Sequence, residues 1–465
     1  MTIDESSLGG KEVRLFPSHN INNKEEAEIR ATASLLAVLR AVSEFGRAIV
    51  KKAGNPTSGN LRCYSEFTLP ALPGEKDSKG RPDGVLRVTR GQKDWQALVE
   101  VKVGSENLVQ EQFDRYHAWA CEKGVNAFIT ISNQSAQANG HPPLNVDMRR
   151  KAVTVVHLSW EWLLRRAELL IRLGEVKDQD QRWILEEWIR YLLDPRSKIV
   201  RFPDLGDHWN HVLKCAHEGD LAICKNHLQD VVIYWDAFIR TAALRLQVKL
   251  EANVEQKMSK AEQKDPALIF KNLHDMAIKD GTLQGVLKIP DTAGDLTVAV
   301  LLHAKTVRYS IDVAAPTEGR IATRINWILK PLLSHNVPED LLVKVCWKQK
   351  NLLSQKSIGE LKKHVDPKEQ VEKLMWDVNE QRLSADALPK SFSLVWTIPL
   401  PKCKGSSSVP VLEGIFKGME VFYENVVGIL KPYLPKAPQL QKEESTPETN
   451  PSPSQENTEP HPVTE

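Results

Sequence analysis

The chain has 465 residues, 41% of them hydrophobic and 26% charged, which rules out a disordered or collagen-like chain and suits a globular protein of about three domains. The formal net charge is +2, but residues 441–465 hold six acids and one lysine, net −5, so residues 1–440 carry +7. That mild basicity is compatible with a polyanionic partner without demanding one.

Residues 1–20 are polar and contain glycine, the composition of a flexible N-terminal arm. From about Lys24 to Lys52 the residues Ile29, Leu35, Leu36, Leu39, Val42, Phe45 and Ile49 recur at helical spacing. Glu28 is in phase with Leu35 and Leu39, and a carboxylate there suits the positive end of a helix. Gly54 to Gly59 is a turn-rich break, and Leu61 to Leu69 reads as a first core strand, with Glu66 assigned to its surface.

A polar loop, Gly74 to Gly80, then delivers RPDGVLRVTRGQKDWQALVEVK, residues 81–102. Gly91-Gln92 is a Gly-X pair of the kind that favours a two-residue type II′ hairpin loop, pairing positions whose numbers sum to 183. Asp83 then faces Glu100, and Val85 faces Leu98 on the same side. Leu86, Val88, Trp95, Ala97 and Val99 form the opposite, apolar face, so one face is read as core and the other as charged. Lys102 returns to the side of the two carboxylates. Two acids on adjacent strands can hold a hard divalent cation that also takes water and phosphate oxygens, and a lysine beside them can position water or stabilise developing charge. The same three residues also suit the solvated face of an ordinary hairpin.

Ser105 to Asn107 starts a helix running to Glu122, in which Gln112 and Tyr116 stack one turn apart. Pro82-Asp83, then Glu100-Val101-Lys102 across a hairpin, then Gln112-Phe113-Asp114-Arg115-Tyr116 together resemble the PD-(D/E)XK nuclease superfamily, in its RecB-like branch with a QxxxY element. The resemblance implies a restriction-endonuclease-like α/β core, a mixed sheet flanked by helices. It implies phosphodiester hydrolysis in nucleic acid, DNA ahead of RNA, with Mg²⁺ or Mn²⁺ as cofactor. Asp83 and Glu100 become metal ligands, Lys102 the catalytic cation, and Glu28, ahead of Glu25 and Glu26, a third acid completing the metal site. Gln112 and Tyr116 brace the site or touch the nucleic-acid backbone. A glutamine satisfied by a main-chain group is the plainer account of Gln112.

Asn126 to Ser132 and Val153 to Leu158 read as core strands, and Ser159 as the N-cap of the helix carrying Trp160, Trp162, Leu163 and Leu164. The nuclease-like domain is thus placed at residues 21–172. Residues 173–265 are helical in character and read as a connector. His208, His211, Cys215, His217, Cys224 and His227 crowd within it at spacings that match no zinc pattern. Residues 266–434 read as an α+β domain, with strands at Gly285–Ile289, Leu296–Leu302, Val307–Val313, Leu342–Trp347 and Ser391–Ile398. A helix from Arg320 to Leu333 presents Arg320, Arg324 and Lys330, charges that suit either phosphate contact or a solvated helix face. Residues 435–465 have the acidic, Pro/Ser-rich composition of a disordered tail.

Six cysteines without a CxxC pair read as reduced thiols, and no apolar run reaches the roughly 18 residues of a membrane span, so the expectation is cytoplasmic, without membrane contact. No P-loop or GxSxG elbow occurs. From the RLFPSHN arm to the TRINWILKPL helix the chain also resembles actinobacterial proteins labelled stress-response proteins, which implies a stress or defence setting. The leading expectation is a metal-dependent nuclease. The alternative is a non-catalytic nucleic-acid- or protein-binding adaptor on the same fold, with a protein partner recruited through the C-terminal domain.

Overall fold

Asn23 opens the first helix: its side chain accepts the Glu26 N–H at 2.8 Å and caps α1 (Lys24–Ala41). In the computed structural model the described residues are 14–18, 21–55, 59–65, 67–71, 80–134, 136, 140–146, 152–200, 204–265, 267–348, 352–384, 386–405 and 407–434. The expected tail and the Glu66 position lie outside them. The single helix expected from 24 to 52 is two. Val42 takes extended dihedrals (φ −103, ψ 98), and α2 (Ser43–Lys52) leaves in a new direction that carries Phe45 onto Trp188, ring centroids 5.3 Å apart. Ile29 is 55% exposed, because the buried face of α1 runs through Ala27, Ala31, Leu35 and Val38 instead.

The first sheet has the order β1 (Asn60–Ser65), β2 (Gly84–Arg90), β3 (Lys93–Val101), β4 (Ala127–Ser132), β5 (Thr154–Ser159). It is antiparallel from β1 to β3 and parallel from β3 to β5, with α3 (Gln110–Lys123) as the crossover between β3 and β4. The hairpin register is the expected one: Val85 pairs with Leu98 and Arg90 with Lys93. Gly91 holds φ +58, a backbone region that a type II′ loop requires at that position and that glycine enters at little cost.

Helices cover both faces. On one, Leu86, Val88, Ala97, Val99 and Val101 pack under α1, α2, α4 (Trp160–Arg172) and α5 (Gln179–Leu193). The other face, read as charged from the sequence, is covered as well. Leu98, Phe128 and Val155 pack there against Phe113, Tyr116 and Trp119 of α3, because a parallel crossover must lay its helix across the sheet.

The second sheet is antiparallel throughout, in the order β11 (Leu353–Ser357), β10 (Leu342–Trp347), β12 (Pro389–Pro399), β9 (Thr306–Ala314), β8 (Leu296–Leu301), β7 (Thr282–Lys288), β6 (Glu255–Gln256). It shares one core with α6 (Trp209–His217), the long α7 (Lys225–Leu250), α9 (Ala267–Asp280), α10 (Ile321–Ser334), α12 (Pro367–Leu374) and α13 (Val409–Phe422). The short helices α8 (Lys260–Lys264) and α11 (Ile358–Lys362) each begin with a serine capping box.

The helical connector expected over 173–265 therefore divides. Leu185, Trp188 and Leu192 of α5 belong to the first core, whereas Trp209, Trp235 and Phe238 belong to the second. The described residues up to Tyr433 belong to one compact unit, so the expected boundary near 172 separates no unit from the next. Residues 14–18 are also not a free arm. The Arg14 Nε and the Leu15 N–H donate to Glu187 Oε2 at 2.9 and 3.1 Å, and the Ser18 hydroxyl donates to Asp194 at 2.5 Å, both acceptors at the far end of the first core. No helix among the described residues is long and apolar enough to cross a membrane.

Candidate active site

The site grows from the open end of the β2–β3 hairpin. Asp83 precedes the first strand pair, Gly84 with Val99, and its Oδ2 accepts the Val101 N–H at 2.7 Å, so a side chain closes the ladder where the main chain of β2 stops. Glu100 is 3% exposed, and its Oε1 accepts from Lys102 Nζ at 2.9 Å. Its Oε2 is buried with no hydrogen-bond partner. Lys102 Nζ also donates to Glu28 Oε1 at 3.0 Å and to the Val101 carbonyl at 3.1 Å.

Burial, and then the charge of Asp83, push the Glu100 carboxyl up to about 8, against the pull of Lys102. Burial also raises Asp83, opposed by the Val101 amide and by Lys102, and raises Glu28, opposed by Lys102. For Lys102, burial favours the neutral amine, but Glu100 and Glu28 outweigh it and hold the ammonium above its ordinary range. Three carboxyl groups thus share one ammonium in a partly dry recess, an arrangement short of positive charge.

The Lys102 backbone is pinned on both sides. Its N–H donates to Ile131 O of β4 at 2.8 Å, and its carbonyl accepts the indole N–H of fully buried Trp160 at 2.8 Å. Trp160 was visible in the sequence only as an apolar helix residue; its contact with Lys102 depends on the parallel β3–β4–β5 order, which places the start of α4 beside the end of β3.

Tyr116 and Gln112 lie on α3. Gln112 Nε2 reaches the Tyr116 hydroxyl at 3.5 Å, a long contact. The buried Tyr116 ring lies against Gly80, where a Cβ would come within 3.1 Å of its Cε1 and hydroxyl and where φ is +106. Tyr116 thereby backs the segment that delivers Asp83. The structure brings Glu28, Asp83, Glu100 and Lys102 together; Tyr116 lies against Gly80, three residues before Asp83, and Gln112 reaches Tyr116. Glu26, the rival of Glu28, is turned to Asn22 and Arg30.

Among the described residues no group of three or more His, Cys, Asp or Glu side chains is disposed to hold a metal ion. At this site the Lys102 ammonium pairs with both Glu28 and Glu100. The buried Oε2 of Glu100, left without a hydrogen-bond partner among the described residues, and the Asp83 carboxyl whose charge acts on it are the oxygens a divalent cation would take. In the histidine-rich stretch, His208 stacks on His227 at 4.0 Å between centroids, and Cys215 Sγ lies 3.7 Å from His211 Nε2.

No protein-family model, curated protein or solved structure matches the chain.

Proposed function

We propose that this chain is a metal-dependent nuclease with a PD-(D/E)XK core of the RecB-like branch, hydrolysing phosphodiester bonds in DNA ahead of RNA. One observation carries the reading: Glu100 keeps a buried, donorless carboxyl oxygen beside Asp83, with the Lys102 ammonium on its other oxygen. Asp83, Glu100 and Glu28 are the residues that would hold Mg²⁺ or Mn²⁺. When bound, the cation supplies an activated water and charge stabilisation at the scissile phosphate. The chain's own residues do the rest. The Val101 amide fixes the Asp83 carboxylate, and Ile131 and Trp160 fix the Lys102 main chain. The Lys102 ammonium, once turned from Glu28, donates to the attacking water or to a non-bridging phosphate oxygen. Gln112 and Tyr116 keep the Asp83 segment in place.

The test is a cleavage panel on single-stranded, duplex and branched DNA and RNA with Mg²⁺ or Mn²⁺, run beside Asp83→Ala and Lys102→Ala. Cutting by the parent alone supports the reading. No cutting of any substrate, or equal cutting by all three proteins, sinks it.

A second reading, a non-catalytic nucleic-acid- or protein-binding adaptor, draws on the ion pairs of Lys102 with both Glu28 and Glu100, which satisfy the site without metal. Salt-sensitive nucleic-acid binding without metal-dependent cleavage favours it.

A further inference from the structure

The second sheet carries a cluster of positive groups that the candidate active site does not use. It sits where β9 ends and the chain turns into α10. Ser391 pairs with Ala314, the Ala315 N–H donates to the Lys390 carbonyl at 3.1 Å, and the Lys348 N–H donates to the Leu388 carbonyl at 2.9 Å. This register brings the end of β10, the start of β12 and the N-terminus of α10 to one end of the sheet. Lys348, Lys390 and Arg320 are all exposed there, on three separate segments. None of them forms an ion pair with another described residue. The acids near this end include Glu318, exposed in the loop itself, Asp386, which accepts the Ser384 hydroxyl, exposed Asp312, which pairs with Ser393 two positions inward, and Asp295, which is paired with Lys257.

The helix start is built the same way. α10 is a 14-residue helix whose N-cap, Arg320, contributes no side-chain hydrogen bond, so its first-turn N–H groups point out uncapped. Arg324, one turn in, is 7% exposed and folds back toward the loop in front of the helix. Its Nε donates to the Gly319 carbonyl at 2.9 Å and its Nη2 to the Thr317 carbonyl at 2.6 Å, while Nη1 is buried with no acceptor. A buried guanidinium left one acceptor short, set into the loop before an uncapped helix N-terminus, is an arrangement short of an anion. This differs from a merely solvated helix face, for which Arg324 would point to water; Lys330, two turns on, remains on that exposed face.

We propose that this end of the second sheet docks the phosphodiester backbone of nucleic acid. Arg320, Lys348 and Lys390 supply the exposed charge, Arg324 fixes the loop, and the α10 N-terminus faces a phosphate oxygen. The inference rests on the reading of nucleic acid as the substrate and adds a contact away from the cleavage centre, reading backbone and not base sequence.

The experiment is fluorescence anisotropy of a labelled DNA, single-stranded and duplex, titrated with the full chain in EDTA at several salt concentrations. Each lost phosphate contact lowers the slope of log affinity against log salt by about 0.7 to 0.9, so the variant Arg320→Ala/Lys348→Ala/Lys390→Ala is expected to lower it by about 2 and to weaken binding by about tenfold or more. A control of equal charge change at exposed lysines elsewhere, Lys123→Ala/Lys177→Ala/Lys264→Ala, is expected to leave the slope nearly intact. Equal slope losses in both triple variants, or none in the first, overturn the proposal. So does loss of binding to phosphatidylcholine–phosphatidylserine vesicles with DNA binding unchanged, which assigns the patch to a lipid surface. Cleavage by the parent chain is measured in parallel with Mg²⁺. No cleavage with the slope difference retained removes the nuclease reading alone, and cleavage with no slope difference removes the docking surface alone.

Discussion

The indole N–H of Trp160 donates to the main-chain carbonyl of Lys102 at 2.8 Å, tying the first residue of α4 to the lysine that follows β3. Trp160→Phe keeps most of the ring and removes the donor, leaving a carbonyl without this partner. The expected stability loss is about 1 to 2 kcal/mol by urea unfolding. If the tie positions Lys102, cleavage falls further than the small loss of folded protein explains, with kcat reduced and KM little changed. An unaltered kcat in Trp160→Phe leaves the indole a purely structural role.

Glu100→Gln removes the ionisable carboxyl, and with it the charge a bound cation would draw out, while keeping its shape. In the parent chain, Mg²⁺ at about 100 times its dissociation constant is expected to stabilise the fold by about 2.7 kcal/mol, read as a rise in melting temperature on adding metal and its reversal by EDTA. In Glu100→Gln that rise disappears, as does cleavage. A metal-dependent shift of equal size in both proteins places the cation elsewhere.

The buried His157 makes a contribution of definite sign to the pH dependence. Its Nδ1 lies 2.9 Å from the Thr130 hydroxyl and its Nε2 2.9 Å from the Gln134 carbonyl, a pattern that satisfies the neutral ring. Burial holds the ring down to about 4, from an ordinary 6.5. Between those values the unfolded chain binds the proton at this ring and the folded one does not, so the contribution of His157 to stability falls as the pH drops from 6.5 toward 4, by up to about 3 kcal/mol, against the opposite slope of the raised Glu100 carboxyl. His157→Gln does not titrate, and the difference in unfolding free energy between parent and variant should narrow across that window. A difference independent of pH refutes the assignment.

Gly80→Ala tests the support behind Asp83. The position combines φ +106 with a Cβ only 3.1 Å from the Tyr116 ring, so the substitution is expected to cost about 1 to 3 kcal/mol and to displace the Asp83 segment. Gly91→Ala also sits at positive φ, but its Cβ meets nothing within 4 Å. It should cost about 1 to 2 kcal/mol of stability with little effect on cleavage. Equal activity in the two variants argues against any role for the Tyr116–Gly80 contact.

The hairpin was legible because a period of two and a Gly-X turn fix a register with no help from the rest of the fold. Asp83 and Glu100 followed from it, and the Val101 amide on Asp83 extends it by one bond. The reach of Lys102 to Glu28 was less legible, since it depends on where α1 lies across the sheet, and the stripe used to orient that helix included the exposed Ile29. The break at Val42 leaves no mark in a continuous apolar periodicity. β6 and β11 escaped notice because Glu255-Gln256 and LSQKS lack the apolar alternation that marks a strand; only their pairing partners make them strands. Arg324 looked like one more charge on a helix surface, and its inward course depends on the carbonyls of a loop that sequence periodicity does not describe.

The bonds from Arg14 and Leu15 to Glu187, and from Ser18 to Asp194, join points more than 170 residues apart in the chain. During synthesis the first sheet and its hairpin can assemble locally, but Phe45 waits for Trp188 and the N-terminal segment waits for α5 before either is covered. The growing chain therefore spends that interval with an apolar helix face open to its surroundings, a stage at which it is exposed to aggregation or chaperone capture. A shortened chain ending at Arg172 would be held there permanently.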